Sequence, residues 1–415
     1  MRVAGRETTL VAVAVATVGL HVADDNFLQP QPGTSAGDHL VSGLVPLAFL
    51  LGAAAVYGRL RAGARASIAL FLGFFGVLAG TEAVYYTQAV GPSGDDYTGL
   101  LSIPAGLLLL GVGAATLWRS RKTGGRRWWR YVRRLVIAGA TVFAAVALLV
   151  PFAIGYIVTH TLRAEVPRAD LGAAYENVEF TTSDGLRLKG WYIPSRNGAA
   201  VISFPGRASS QKRAKLLARH GYGVLLFDRR GEGESEGDPN AFGWQGERDI
   251  HAAVAYLRSR SDVDPERIGG IGLSVGGEMM IEAAAESTAL QAIVSEGASS
   301  RSVRDELANR ASSWQEIVGN AVATAATALF TNNLPPASLK SLVPKIAPRS
   351  VLFVYGERGQ PAERPANRGF YAAAQEPKAI WEVHGSGHIG GTEAQPREYE
   401  RRIVAFFDRS LLGDK

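Results

Sequence analysis

The pattern of apolar positions changes once along the chain. Up to about residue 165 they form long, nearly unbroken blocks; from about Tyr175 they form short runs alternating with longer stretches in which apolar residues recur every three or four positions. Blocks at 8–23, 40–58, 66–90, 97–118 and 135–159 predict five helices able to cross a hydrocarbon core of about 30 Å, which takes about 20 residues. The first block is short. Its basic start and small-residue end also fit a removable signal peptide, which would leave four spans.

The second pattern predicts strands joined by helices. VEFTTSDGLRLKGWYIP reads as two antiparallel strands around a Ser183-Asp184-Gly185 turn. The runs AAVISFPG, GYGVLLFD, RIGGIGLS, LQAIVSEG, SVLFVYGE and KAIWEVHG read as six buried parallel strands. Helices are predicted at 207–220, 244–260, 275–287, 366–375 and 396–411. The expected architecture is an N-terminal bundle of transmembrane helices over 1–165 and an α/β domain over 166–415, a mostly parallel sheet with helices on both faces and an insertion near 298–347.

A length of 415 residues and a 47% hydrophobic share fit two such parts, one of them in lipid. Charge sharpens this picture. Residues 1–165 hold 14 Lys and Arg against 8 Asp and Glu, which is the whole formal excess of +6; the remainder carries 30 of each. A basic excess confined to the apolar part points to membrane lipid rather than nucleic acid. It also falls on alternate loops. Arg2 and Arg6, then Arg59, Arg61 and Arg65, then the run WRSRKTGGRRWWRYVRR are basic, whereas 24–39 and 91–96 carry aspartates and no Lys or Arg. The positive-inside rule then predicts a cytoplasmic N-terminus and, after five crossings, an α/β domain outside. Glu82, the one acid inside a span, is expected to reach the headgroups or bond a neighbouring helix. The absence of cysteine excludes disulfide and thiolate chemistry. No His, Asp and Glu grouping has metal-ligand spacing, so neither a metal nor a cofactor is expected.

Candidate chemistry lies where strands end, because ligands bind beyond the carboxyl ends of parallel strands. Gly272-Leu273-Ser274-Val275-Gly276 places a serine between a predicted strand and a predicted helix. Flanking glycines permit a sharp turn that exposes the hydroxyl, and the helix start aims backbone N–H groups at the same point. A serine hydroxyl needs a general base. His388, in the glycine-rich loop HGSGHIGG after the last strand, is the candidate, whereas His384 is read as structural. Val275 N–H is one expected oxyanion donor, and Arg207 N–H after FPG the other.

Together DGLRLKGWYIP, the FPG loop, DRRGEGES, GLSVGG and GSGH occur in the order seen in α/β-hydrolase-fold serine hydrolases, and residues 175–415 resemble that family, nearest its dienelactone-hydrolase-like and serine-aminopeptidase-like branches. The resemblance implies a Ser-His-acid triad and an acyl-enzyme, with a small-molecule or lipid-like ester, thioester or peptide as substrate. Two departures stand out. Pro205 replaces the histidine usual before the oxyanion-loop glycine, and Gly359 stands where the family carries its aspartate. Glu363, Glu357 and Glu296 are the candidate replacements, glutamate being a known triad acid. A hydrolase fold kept as an inert membrane-tethered binding or sensor module is the alternative that the missing aspartate motivates.

Overall fold

The computed structural model describes residues 2–30, 34–92, 94–120, 127–302, 304 and 314–413. The chain forms two compact units, Met1–Leu162 with Ala325–Asn333, and Arg163–Thr324 with Leu334–Lys415.

The first unit is helical: α1 (Arg2–Ala23), α2 (Leu40–Tyr57), α3 (Ala62–Val90), α4 (Asp96–Arg119) and α5 (Arg127–Thr159). Among the described residues, Gly5–Leu28, Leu40–Tyr57, Ala62–Gln88 and Asp96–Arg119 are long and apolar enough to cross a membrane. The first of these corrects the sequence expectation of a short block ending at residue 23. The helix runs on as one wide turn, Asp24–Leu28, because its polar residues find partners: Asn26 Nδ2 donates to Val22 O (3.0 Å) and Thr98 Oγ1 to Asp24 Oδ2 (2.7 Å). The fifth expected block falls on α5; its side chains at 138–146 lie outside the described residues.

Glycines spaced seven apart on facing sides let α3 and α4 touch backbone to backbone. A Cβ at Gly73 would lie 2.8 Å from Gly106 O, and one at Gly80 2.7 Å from Gly99 O. Glu82 bonds a neighbouring helix, accepting from the Tyr156 hydroxyl of α5.

The second unit is an eight-stranded sheet in the order β1-β2-β4-β3-β5-β6-β7-β8. Its strands are β1 (Glu176–Thr181), β2 (Arg187–Ile193), β3 (Ala200–Phe204), β4 (Gly223–Phe227), β5 (Ile268–Leu273), β6 (Ala292–Glu296), β7 (Ser350–Gly356) and β8 (Lys378–Val383). β1 and β2 pair antiparallel and enter against β4; all later pairings are parallel. The middle strands β3, β4 and β5 are buried at every position, and apolar but for Ser203, because helices cover both faces. On one face lie α7 (Gly246–Arg258), α8 (Val275–Glu286) and α11 (Glu363–Ala373), with Ile250, Met280 and Phe370 in the core; on the other lie α6 (Arg207–Arg219) and α13 (Pro396–Phe407), with Leu217 and Phe407. Two further helices, α9 (Trp314–Thr331) and α10 (Leu339–Leu342), fall in the expected insertion, and α12 (Gly391–Ala394) precedes α13.

The end of α9 belongs to the helical unit, where Phe330 lies edge-on to Tyr156 (5.2 Å). The apolar residues that end α9 thus lie in a helical core, Ala326 and Phe330 beside Tyr156.

Strand order places the site. From β3 the chain crosses to β4 on one side, and from β5 to β6 on the other, so the loops after β3 and β5 diverge and open a crevice. Both lead directly into helices, α6 and α8.

Candidate active site

Ser274 occupies the sharp turn between β5 and α8 with φ 53° and ψ −123°, a conformation that costs a non-glycine residue energy and persists only when its surroundings enforce it. Those surroundings are specific. Ser274 N–H donates to Glu296 O at the end of β6 (2.7 Å), and Ser274 O accepts from Gly277 N–H (2.9 Å). A Cβ at Gly272 would lie 2.2 Å from Gly276 O, so only glycine lets the strand and the first helical turn approach this closely. Gly272→Ala is therefore expected to lower the melting temperature and remove Ser274 reactivity together, as thermal denaturation and active-site titration would report. Val275 opens α8, and its N–H has no carbonyl one turn earlier to bond.

The loop after β8 returns to the same point. His388 Nε2 lies 2.9 Å from Ser274 Oγ, across 114 residues of sequence. His388 Nδ1 contacts Glu363 Oε1, so the three side chains form one hydrogen-bonded row. Glu363 stands in the first turn of α11, 1% exposed, and its Oε1 also accepts from Gln360 N–H (2.8 Å). Asn367, one turn on, donates to Ala298 O and to Glu363 O (2.8 Å each), which fixes that end of α11. A Cβ at Gly359 would fall 2.4 Å from Glu363 Oε2. The glutamate carboxylate thus occupies the space into which a side chain at 359 would grow.

Neither other glutamate reaches His388. Glu357 accepts from Gly385 N–H (2.8 Å) and faces exposed His384 (3.7 Å), which lies just past the end of β8 rather than within it. Glu296, 2% exposed, is bound by Arg213 Nη2 (3.0 and 3.1 Å) and by the Tyr399 hydroxyl (2.5 Å). Burial and the adjacent Glu296 carboxylate push the Tyr399 phenol well above its ordinary pKa, so the hydroxyl is the donor.

Arg207 departs from expectation. Its N–H donates to Asp228 Oδ1 (3.0 Å) and its Nε to Asp228 Oδ2 (2.9 Å), both in the buried turn after β4. The backbone donor assigned to an oxyanion is thus spent on the Asp228 carboxylate. Asp228 lies 21 residues away, and no local signal announces the contact. Arg213 and Tyr399 stand in no recognisable motif, so the sequence alone gives no sign of their place beside the site.

A parallel sheet with a serine on the turn after β5, a histidine after β8 and a buried acid after β7 defines an α/β-hydrolase-fold serine hydrolase. A family model described as X-Pro dipeptidyl-peptidase (S15 family) matches residues 167–370. The uncharacterised protein YfhR of Escherichia coli K12 is 26% identical over 248 residues, spanning 57% of this chain and 82% of that protein. The polyketide transferase grgF of a Penicillium species is 38% identical over 128 residues, 29% of this chain and 41% of that protein. The thiohydrolase aneE of Aspergillus aculeatus is 36% identical over 129 residues, 29% of this chain and 41% of that protein. The crystal structure of GrgF superposes with a TM-score of 0.49 at 23% identity, covering 58% of this chain and 99% of that one.

Proposed function

We propose that this chain is a membrane-anchored serine hydrolase that cleaves carboxylic esters through an acyl-enzyme on Ser274, with its hydrolase unit on the outer side of the membrane. The observation that carries the chemistry is the row from Ser274 Oγ through His388 to Glu363. In the first step Oγ bonds to the ester carbonyl carbon, its proton passes to His388 Nε2, and the carbonyl electron pair moves to oxygen, where Val275 N–H receives the charge. Collapse of that intermediate expels the alcohol, which takes the proton from Nε2. Water then gives a proton to Nε2 and attacks the acyl carbon, and Ser274 leaves with the proton restored; the net change is ester plus water to acid plus alcohol. Glu363 holds the Nδ1–H tautomer and stabilises the imidazolium formed in both halves. The same steps cleave a thioester or an amide.

Orientation rests on the alternation of basic and acidic loops counted over five crossings, with α5 as the fifth, and anchoring on the long apolar helices α1 to α4 that precede it. A peptidase reading has one observation in its favour, the match of residues 167–370 to a dipeptidyl-peptidase model.

A fluorophosphonate probe is expected to label folded protein at Ser274, located by peptide mapping; folded protein that stays unlabelled overturns the enzyme reading in favour of an inert module. p-Nitrophenyl esters of graded chain length, the matching thioesters and aminoacyl anilides then separate esterase, thioesterase and peptidase. Protease added to intact cells is expected to digest the hydrolase unit, and its protection overturns the external placement.

A further inference from the structure

Glu296 touches the site twice without touching His388. Its backbone carbonyl accepts the Ser274 N–H (2.7 Å), which holds the strained turn carrying the nucleophile. Its carboxylate, at the end of β6, lies against the Arg213 guanidinium of α6, and that same guanidinium donates from Nη2 to Ile389 O (2.6 Å). Ile389 directly follows His388 and has φ 49°, a left-handed conformation that a β-branched residue adopts only when held there. The Tyr399 hydroxyl of α13 closes the group by bonding Glu296 Oε2 (2.5 Å), with Arg213 Nε 3.3 Å from the same hydroxyl. Arg213 and Glu296 side chains are 5% and 2% exposed and Tyr399 is fully buried, so solvent does not compete for these bonds.

Next to Glu296, Gly297 has φ 74°, and a Cβ there would meet Ile389 Cγ2 at 2.8 Å and His388 Cε1 at 3.2 Å. The end of β6 is therefore shaped on one side for the serine turn and on the other for the histidine loop.

We propose that Arg213, held in place by Glu296 and Tyr399, is a positioning residue that sets His388 against Ser274 by clamping the Ile389 carbonyl. The proposal rests on the Ser274 and His388 reading above and adds to it the group that aligns the two loops. A planar guanidinium suits the task, because it serves a carboxylate and a carbonyl at once with fixed geometry. A buried ion pair is otherwise a poor device for stability, and replacing all its members by apolar groups of similar volume is often neutral or stabilising. That difference separates a clamp from a structural pair.

The experiment compares wild type, Arg213→Met, and the triple variant Arg213→Met/Glu296→Met/Tyr399→Phe, which leaves no unpaired buried charge. Three quantities are read: melting temperature, the second-order rate of fluorophosphonate labelling, and hydrogen exchange of the Ser386 and Gly390 amides, whose bonds to Val383 O and Gly387 O shape the loop. Arg213→Met is expected to lose stability. The triple variant is expected to recover the wild-type melting temperature and yet label at least about 30-fold more slowly, with loop exchange at least about tenfold faster. A triple variant with both wild-type labelling and wild-type exchange overturns the clamp. Absence of labelling in wild type counts against the Ser274 reading instead, while the exchange of the loop still decides whether Arg213 holds it.

Discussion

Ser274→Ala is expected to lower kcat/KM on a short-chain p-nitrophenyl ester by about 10^4-fold to 10^6-fold, the range over which loss of the nucleophile disables a triad that works as a unit. The melting temperature is expected to stay within about 1 °C of wild type. The reasons are local. Ser274 Oγ makes one side-chain hydrogen bond, to His388 Nε2, and the turn is held by backbone groups that alanine keeps: Ser274 N–H to Glu296 O, and Gly277 N–H to Ser274 O. Alanine at φ 53° suffers the same backbone strain as serine, so the substitution adds none. What disappears is the atom that bonds to the acyl carbon. His388→Ala is expected to fall in the same range without summing with Ser274→Ala, because each removes a member of one proton-transfer chain. Steady-state kinetics beside thermal denaturation checks this, and a folded Ser274→Ala protein retaining a hundredth of wild-type turnover would disprove the assignment.

The serine turn and the histidine loop were legible in the sequence because each is written in local chemistry: glycines that a tight turn requires, on either side of an apolar run and a helix. Strand and helix order was legible for the same reason, and most element ends fall within a few residues of expectation. The acid was legible only as a choice among Glu363, Glu357 and Glu296. Pro365 argues from sequence for a helix starting at 366, whereas α11 starts at Glu363, since proline is tolerated in a first helical turn, where its missing N–H has no partner to lose. That one turn decides where the Glu363 carboxylate lies. Arg207 and Arg213 lay beyond reach for another reason. Their roles are set by Asp228, Glu296 and Tyr399, brought together by the sheet across separations of 21, 83 and 186 residues. In the helical unit the apolar blocks marked the helices, but the first helix outruns its block because Asp24 and Asn26 are bonded by neighbours that a count of apolar residues does not see.

Moving the acid back to position 359 tests the site more searchingly than deleting it. Glu363→Ala is expected to lower kcat/KM by about 10^3-fold to 10^4-fold, because His388 loses the group that fixes its tautomer and offsets the charge of the imidazolium. Gly359→Asp alone is expected to be harmful as well. A Cβ there lies 2.4 Å from Glu363 Oε2, which forces two carboxylates into one buried space. Combined, the two changes relieve each other: truncation at 363 vacates the volume, and the aspartate carboxylate grows into it on a loop already fastened to the histidine loop by Arg358 N–H on Ser386 O (2.8 Å). The double variant is expected to exceed Glu363→Ala by at least about tenfold in kcat/KM, or about 1.4 kcal/mol, so the coupling in a double-mutant cycle is that amount plus whatever Gly359→Asp costs alone. Fluorophosphonate labelling rates are expected to move in parallel. The recovery would mean that the chain holds its acid in the usual place by an unusual route, with the glutamate one helical turn along replacing an aspartate that glycine displaced. A double variant no faster than Glu363→Ala, with the same melting temperature as wild type, would mean instead that position 359 cannot carry the acid in this loop and that the two carboxylate placements are not equivalent.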